Sequence, residues 1–278
     1  MNWIEVSIHT TSTELAEILL AELSESGYDS FLETPYGIDA YIKEELYDET
    51  VLFELKKKYS VIFPFSYTVK IIPQKNWNEE WEKNFEPVVV ANRCIVRPPF
   101  FTPMETFPYD IVIQPKMSFG TGHHATTQMM AEFLIENPPA KQRVLDIGTG
   151  TGILAILAEK LGANHVDAVD NDPICFENCN ENCTLNACNL VQTYLGDVRT
   201  APISKTGYDV LLANITKNVL LDEFDNYYAL MNHGATLYIS GFYETDQEDL
   251  KCAAIKSGFV QLSKKNKNDW AAMAFKKI

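Results

Sequence analysis

No apolar run in this 278-residue chain approaches the length needed to cross a bilayer, and the opening MNWIEVSIHT does not have the pattern of a secretory signal. A cytoplasmic protein with no membrane partner is expected. Basic residues are scarce, with 23 Lys plus Arg against 38 Asp plus Glu and a formal net charge of −15. Such a surface repels nucleic acid at long range and attracts basic partners. That argues against a simple RNA binder without naming a partner. None of the six cysteines falls in a CxxC pair. Cys175, Cys179 and Cys183 recur at i, i+4, i+8, with Cys188 just beyond, so the first three line one side of a helix. Small apolar side chains facing a core in a reducing compartment explain that pattern better than a metal or iron–sulfur site. His123 and His124 are adjacent and have no third ligand near them in sequence, so no metal site is expected there either.

At 46% hydrophobic and 22% charged, the chain has the composition of a globular protein long enough for two modest domains. The first seventy or so residues alternate strand and helix signals. NWIEVSI alternates like a strand, and STELAEILLAELSESG carries a capping residue, helical apolar spacing and a closing Gly27. DSFLET and GIDAYIK flank the turn signal PYG, YDETVLFELKKKY is helical, and FSYTVKII is a strand. The order β-α-β-β-α-β is that of a small ferredoxin-like α+β domain. RNA-recognition modules share this topology, but Tyr41 is accompanied by Asp39 and Glu5, which match the aromatic and basic signature poorly. A docking platform for a protein fits better.

In NWNEEWEKNFEP, Trp77, Trp81 and Phe85 recur every four residues, and Pro73 and Pro87 bracket them. A connecting helix over residues 74–87 is expected, separating a domain at 1–73 from one at 88–278. After strands in VVVANRCIVRPPF and YDIVIQP comes the loop SFGTGHHATT, which has little that would pack a core. From Arg143 onward, strand–helix units repeat: RVLDIG, a glycine turn opening ILAILAEKLGA, HVDAVD, DPICFENCNENCTLNA, VQTYLGD, YDVLLANI, ATLYISGF and WAAMAFKKI. This reads as an α/β doubly wound sheet.

The turn DIGTGTG places glycines where the chain bends sharply and a ligand meets backbone. Asp170 lies 22 residues after Gly148 at the tip of the next strand, where a carboxylate would accept the ribose hydroxyls of an adenosine. Asp197 closes the following strand, beside the expected adenine. A dinucleotide site expects GxGxxG, whereas Gly148, Gly150 and Gly152 read GxGxG after Asp146. With Asp170 and the later ANI, this pattern favours S-adenosylmethionine, a cationic ligand without phosphate. A nicotinamide-dependent oxidoreductase remains the alternative at this point. Asn214 ends a strand at the ligand-binding edge, where its amide would orient an amine by position alone. A capping role for Asn214 before the helix beginning near Thr216 is the structural alternative.

With these residues placed, the sequence resembles the ribosomal protein L11 methyltransferase family (PrmA) over essentially its whole length. The aromatic linker and FGTGHHATT carry the resemblance more specifically than the glycine turn does. The resemblance implies a seven-stranded Rossmann-like methyltransferase domain behind the small ferredoxin-like one. It also implies methyl transfer from S-adenosylmethionine to lysine and N-terminal amines of ribosomal protein L11, which the N-terminal domain recognises. It places cofactor contacts at Thr127, Gly148, Asp170 and Asn214, with Asn214 also catalytic; the residue-level reading adds Gly150 and Asp197. An S-adenosylmethionine-dependent methyltransferase acting on another protein amine and a non-enzymatic ribosome-associated binding protein are the remaining alternatives, and a monomer with no direct nucleic-acid contact is expected. Two departures stand out. Gln114 occupies a position where the family commonly has an acid, and NITK replaces the Asn-Pro-Pro-aromatic motif of many other amine methyltransferases, which allows a flexible lysine as target.

Overall fold

The structure, a computed structural model, describes residues 2–72, 86–104, 106–116 and 118–278. The aromatic connector read from Trp77, Trp81 and Phe85 lies outside the described residues. The chain divides into two units, Met1–Asn84 and Phe85–Ile278.

In the N-terminal unit, alternation along β1 (Trp3–His9) buries Ile4, Val6 and Ile8, and β3 (Gly37–Lys43) buries Ile38, Ala40 and Ile42 in matching register. With β2 (Ser30–Thr34) and β4 (Ser66–Ile72) they form an antiparallel sheet in the order β2-β3-β1-β4. α1 (Thr13–Glu25) starts at Ser12, whose hydroxyl accepts the Leu15 N–H, and α2 (Glu49–Tyr59) starts at Asp48. Leu15, Leu19 and Leu23 of α1 and Leu52 and Leu55 of α2 bury against the apolar sheet face. Full burial of each such leucine contributes about 1.5–3 kcal/mol.

The C-terminal unit opens with a small sheet, β5 (Val88–Val90), β6 (Cys94–Arg97) and β7 (Tyr109–Val112). VVVANRCIV is broken by a tight turn in which Ala91 and Asn92 both take positive φ. The main sheet has seven strands in the order β10-β9-β8-β11-β12-β14-β13. Its strands are β8 (Arg143–Ile147), β9 (His165–Asp170), β10 (Val191–Leu195), β11 (Tyr208–Asn214), β12 (Met231–Tyr243), β13 (Phe259–Lys267) and β14 (Trp270–Lys277). The first five are parallel, β14 runs antiparallel to them, and β13, antiparallel to β14, returns to their direction.

Alternation splits the core between the two faces. Val144, Val166, Ala168, Val210 and Leu212 pack with α3 (Ala125–Glu136), α4 (Ile153–Lys160) and α5 (Pro173–Leu185). Leu145, Ile147, Val169, Leu211 and Ala213 pack with α6 (Lys217–Leu230) and α7 (Gln247–Lys256). With both faces covered, the parallel strands carry near-continuous apolar runs. β13 did not stand out in the sequence because it is an edge strand carrying Lys264, Lys265 and Lys267, the charges that keep an edge from pairing with other chains.

Candidate active site

The strand order β10-β9-β8-β11 sets four carboxyl ends side by side. These ends deliver, in turn, Asp197, Asp170, the glycine turn and Asn214. Open α/β sheets bind ligands at this edge, where the strand order reverses about the first strand. The turn is built for glycine. Gly148 has φ +66°, and a Cβ there would sit 2.3 Å from Ile215 Cγ2. At Gly150, with φ +56°, a Cβ would sit 2.3 Å from the carbonyl oxygen of Phe119. The turn is therefore pressed against both the strand end holding Asn214 and the loop SFGTGHHATT.

Asp170 is buried and ties this edge together. Its Oδ2 accepts the Gly150 N–H at 2.9 Å and its Oδ1 the Asp172 N–H at 3.0 Å. A carboxylate has about four lone-pair sites, so each oxygen keeps capacity for a ligand hydroxyl. Asp146 lies behind the turn, fully buried, and accepts the Thr149 hydroxyl at 2.7 Å. Burial pushes its carboxyl up to about 7, against the opposing effect of the Thr149 hydrogen bond. Asp197 is exposed, and its Oδ1 closes a turn by accepting from the Arg199 and Thr200 N–H groups and the Thr200 hydroxyl. Those hydrogen bonds, led by the Thr200 side chain, lower its pKa.

The loop is held from two sides. The Thr151 N–H donates to Phe119 O at 3.0 Å, and the Thr151 hydroxyl to Gly120 O at 2.6 Å. His124 caps α3, its Nδ1 facing the Thr126 hydroxyl at 2.7 Å. One turn into α3, the buried Thr127 brings its hydroxyl to 3.5 Å from Asn214 Nδ2. Asn214 Oδ1 is buried with no hydrogen-bond partner. Asn214 is not the cap of α6, since the N-cap is Thr216 and no side chain caps that end.

Three residues that the sequence reading passed over complete the scaffold. Asn178 and Asn182 on α5 and its C-terminal cap Asn186 recur at i, i+4, i+8 and satisfy the edge of the segment leading into the loop. Asn186 bonds both the N–H and the carbonyl of Val112, at 2.9 and 2.6 Å. Asn182 accepts the Gln114 N–H at 2.8 Å and donates to Thr151 O at 2.8 Å, while Asn178 donates to Gln114 O at 3.3 Å. Side-chain amides here replace a neighbouring strand. Position 114 is thus fixed through its backbone. The cysteine stripe of the same helix is packing, with Cys179 and Cys183 buried in the core.

The residues fit an S-adenosyl ligand on two observations. Asp170 presents a buried carboxylate at a strand end beside the glycine turn, and Asn214 holds an orphaned buried amide oxygen at the same sheet edge. The mixed seven-stranded sheet, glycine turn and acidic strand end define an S-adenosylmethionine-dependent methyltransferase. The family model described as "Ribosomal protein L11 methyltransferase (PrmA)" matches residues 6–278, and the chain belongs to that family. It is 39% identical over 283 residues to the ribosomal protein L11 methyltransferase of Bacteroides thetaiotaomicron, with 99% of each chain covered. It is 38% identical over 279 residues to that of Phocaeicola vulgatus, again with 99% of each covered. Among solved structures it resembles the ribosomal protein L11 methylase of Lactobacillus delbrueckii subsp. bulgaricus, with a TM-score of 0.63 and 26% identity over 70% of this chain and 100% of that one.

Proposed function

We propose that this enzyme methylates amino groups of ribosomal protein L11, at lysine side chains and the N-terminal amine. The observation that carries the reading is the buried, unpartnered Oδ1 of Asn214 at the ligand-binding strand edge, in a chain of this family. That oxygen is an acceptor awaiting an N–H donor, and an acceptor amine supplies one. Asp170 would hold the ribose hydroxyls. Gly148 and Gly150 would let the ligand approach backbone, Thr127 would contact the methionine end and position Asn214, and Asp197 would flank the adenine. When bound, S-adenosylmethionine supplies a methyl group activated by a sulfonium, which the acceptor nitrogen takes as the carbon–sulfur bond breaks.

The acceptor must first be neutral. A lysine starts near pKa ~10.4 and an N-terminal amine near ~7.7–8.0. Entry into a desolvated site lowers either value. Asn214 then accepts one N–H and fixes the direction of the lone pair, a contribution of position rather than of basicity.

The strand order of the N-terminal unit supports a ferredoxin-like reading and a role in holding the protein substrate. A cavity of about 780 Å³ in that unit, lined among others by Glu17, Glu33, Leu20 and Tyr36, offers carboxylates and apolar surface to a basic protein. We further take the enzyme to work in the cytoplasm as a monomer without direct nucleic-acid contact. No helix among the described residues is long and apolar enough to cross a membrane. Intact-mass spectrometry of L11 from the same organism, after incubation with enzyme and S-adenosylmethionine, tests the function. Added methyl increments that disappear with Asn214→Ala are expected. No increment, with cofactor binding intact, would send the search to another amine-bearing protein.

A further inference from the structure

The start of α6 breaks two local rules. Its cap residue, Thr216, makes no side-chain hydrogen bond, and its first turn holds no acid but opens on Lys217. An uncapped end leaves its N–H groups without an internal acceptor, and a cation at a helix N-terminus opposes the macrodipole. Departures of this kind concentrate at functional sites, where another constraint outweighs local preference. This one falls three residues after Asn214. The lysine pairs instead with the neighbouring helix. Lys217 Nζ lies 2.8 Å from Asp246 Oδ1 and 2.7 Å from Asp249 Oδ2. Those acids stand at the N-terminal end of α7, where negative charge is favourable. Asp246 is itself fixed, its Oδ2 accepting the Tyr243 N–H at 3.3 Å. The two carboxylates, Asp246 foremost, raise the pKa of the lysine, so the contact is an ion pair.

Between Asn214 and Lys217 the chain runs through a slot. Asn214 pairs in register with Ser240 of β12, and the Ile215 N–H donates to Ser240 O at 3.0 Å. The next residue of β12, Gly241, has φ +96° and sits where the register with β14 shifts. A Cβ there would lie 2.2 Å from the Ile215 carbonyl oxygen. The Ile215 side chain meanwhile presses on Gly148 of the glycine turn. Strand irregularities beside active sites re-aim a side chain, and this one admits the backbone that follows Asn214. The slot holds the near end of the segment, and the two ion pairs hold its far end.

We propose that Lys217 is a positioning residue for methyl transfer: by pinning the first turn of α6 to Asp246 and Asp249, it seats Ile215 between Gly148 and Gly241 and so aims the Asn214 amide at the acceptor nitrogen. The proposal rests on the reading of Asn214 as the residue that orients that amine. Asp249 is 67% exposed, and ion pairs open to solvent contribute little to global stability. Their effect falls on geometry, where a displacement of about 1 Å can cost roughly 10²-fold in rate.

The test places Lys217→Met, an unbranched side chain without charge, in both the wild-type and the Asn214→Ala backgrounds. It reads transfer of radiolabelled methyl from S-adenosylmethionine to L11, with cofactor affinity by calorimetry and Tm alongside. In the wild-type background kcat should fall roughly ten- to hundredfold while cofactor affinity stays unchanged. Tm should move by no more than about 3 °C. In the Asn214→Ala background Lys217→Met should have no further effect, because residues that act as a unit are not additive. Lys217→Arg, which keeps the charge, should restore most of kcat. Equal slowing in both backgrounds, or wild-type kcat in folded Lys217→Met, would overturn the proposal alone. Should Lys217→Met fail to fold, Asp249→Asn, at the exposed end of the pair, is read by the same criteria. Wild-type kcat in Asn214→Ala, or no transfer to L11 by the wild-type enzyme, would overturn the underlying reading and this proposal with it.

Discussion

The side-chain amide of Asn214 directs Nδ2 toward the Thr127 hydroxyl, 3.5 Å away, and leaves Oδ1 buried without a partner. A buried acceptor without a donor costs about 1–3 kcal/mol. The surrounding helix and strand hold the amide in that state, so the site is organised before substrate arrives. Asn214→Ala should lower kcat roughly 10²–10³-fold, as loss of a preorganised polar group does, with the larger effect on kcat than on cofactor affinity. Thr127→Val keeps the shape but not the hydroxyl and should cost roughly fivefold to twentyfold in kcat, about one hydrogen bond. Steady-state kinetics together with calorimetric titration of the cofactor separates the two quantities; wild-type kcat in Asn214→Ala would remove Asn214 from the chemistry.

Asp170 offers its carboxylate to the ligand while bracing Gly150. Asp170→Ala should therefore weaken S-adenosylmethionine binding roughly 10- to 150-fold, the value of one or two hydrogen bonds to a charged group. Calorimetric titration reads this directly, and unchanged affinity would place the ribose elsewhere.

Gly150→Ala forces a Cβ to 2.3 Å from a backbone carbonyl oxygen at a positive φ. Neither atom belongs to a flexible side chain. A loss of about 2–4 kcal/mol in unfolding free energy is expected from strain and overpacking together. Urea denaturation measures it, and an alanine variant as stable as wild type would mean the turn has another low-energy form.

Asn182 joins the Gln114 N–H to the Thr151 carbonyl. Asn182→Leu keeps the branched shape but strands both backbone groups, at about 1–3 kcal/mol each. Tm should fall, and cofactor affinity should fall with it, because the segment entering the loop and the glycine turn lose their common support. A lower Tm with unchanged affinity would make the asparagine ladder purely a stability device.

Asp146 contributes a pH dependence of defined sign. Its folded pKa, pushed up to about 7 by burial, lies above the unfolded carboxylate value of 3.8. The folded state thus binds more protons between these values, and stability is lost as pH rises through that window. Asp146→Asn cannot ionise and keeps an acceptor for the Thr149 hydroxyl. Its Tm relative to wild type should rise from pH 5 to pH 8; a constant difference across that range would show that Asp146 does not titrate there.

Much of the fold was legible because each element carries a local signal. Ser12 and Asp48 cap helices where Ser and Asp precede apolar periodicity, and the buried strands are short apolar runs. The strand in Phe259–Lys267 was not, since its lysines report an edge and an edge is known only from the sheet. The tight turn at Ala91–Asn92 was hidden inside an apolar run. In α5 the cysteines drew the eye, yet the asparagines beside them carry the hydrogen bonds to partners 31 to 74 residues distant in sequence.

The sequence by itself determined the two-part organisation, the parallel sheet, the glycine turn and the acidic strand ends, because periodicity, caps and glycine spacing are properties of neighbouring residues. Only the tertiary structure decided which of those residues face one another. It brought Thr127 to Asn214 across 87 residues and set Trp270 against His124. These relations depend on strand order and on how a loop packs over a sheet edge. Both are fixed by the burial of the whole core rather than by any local stretch of chain.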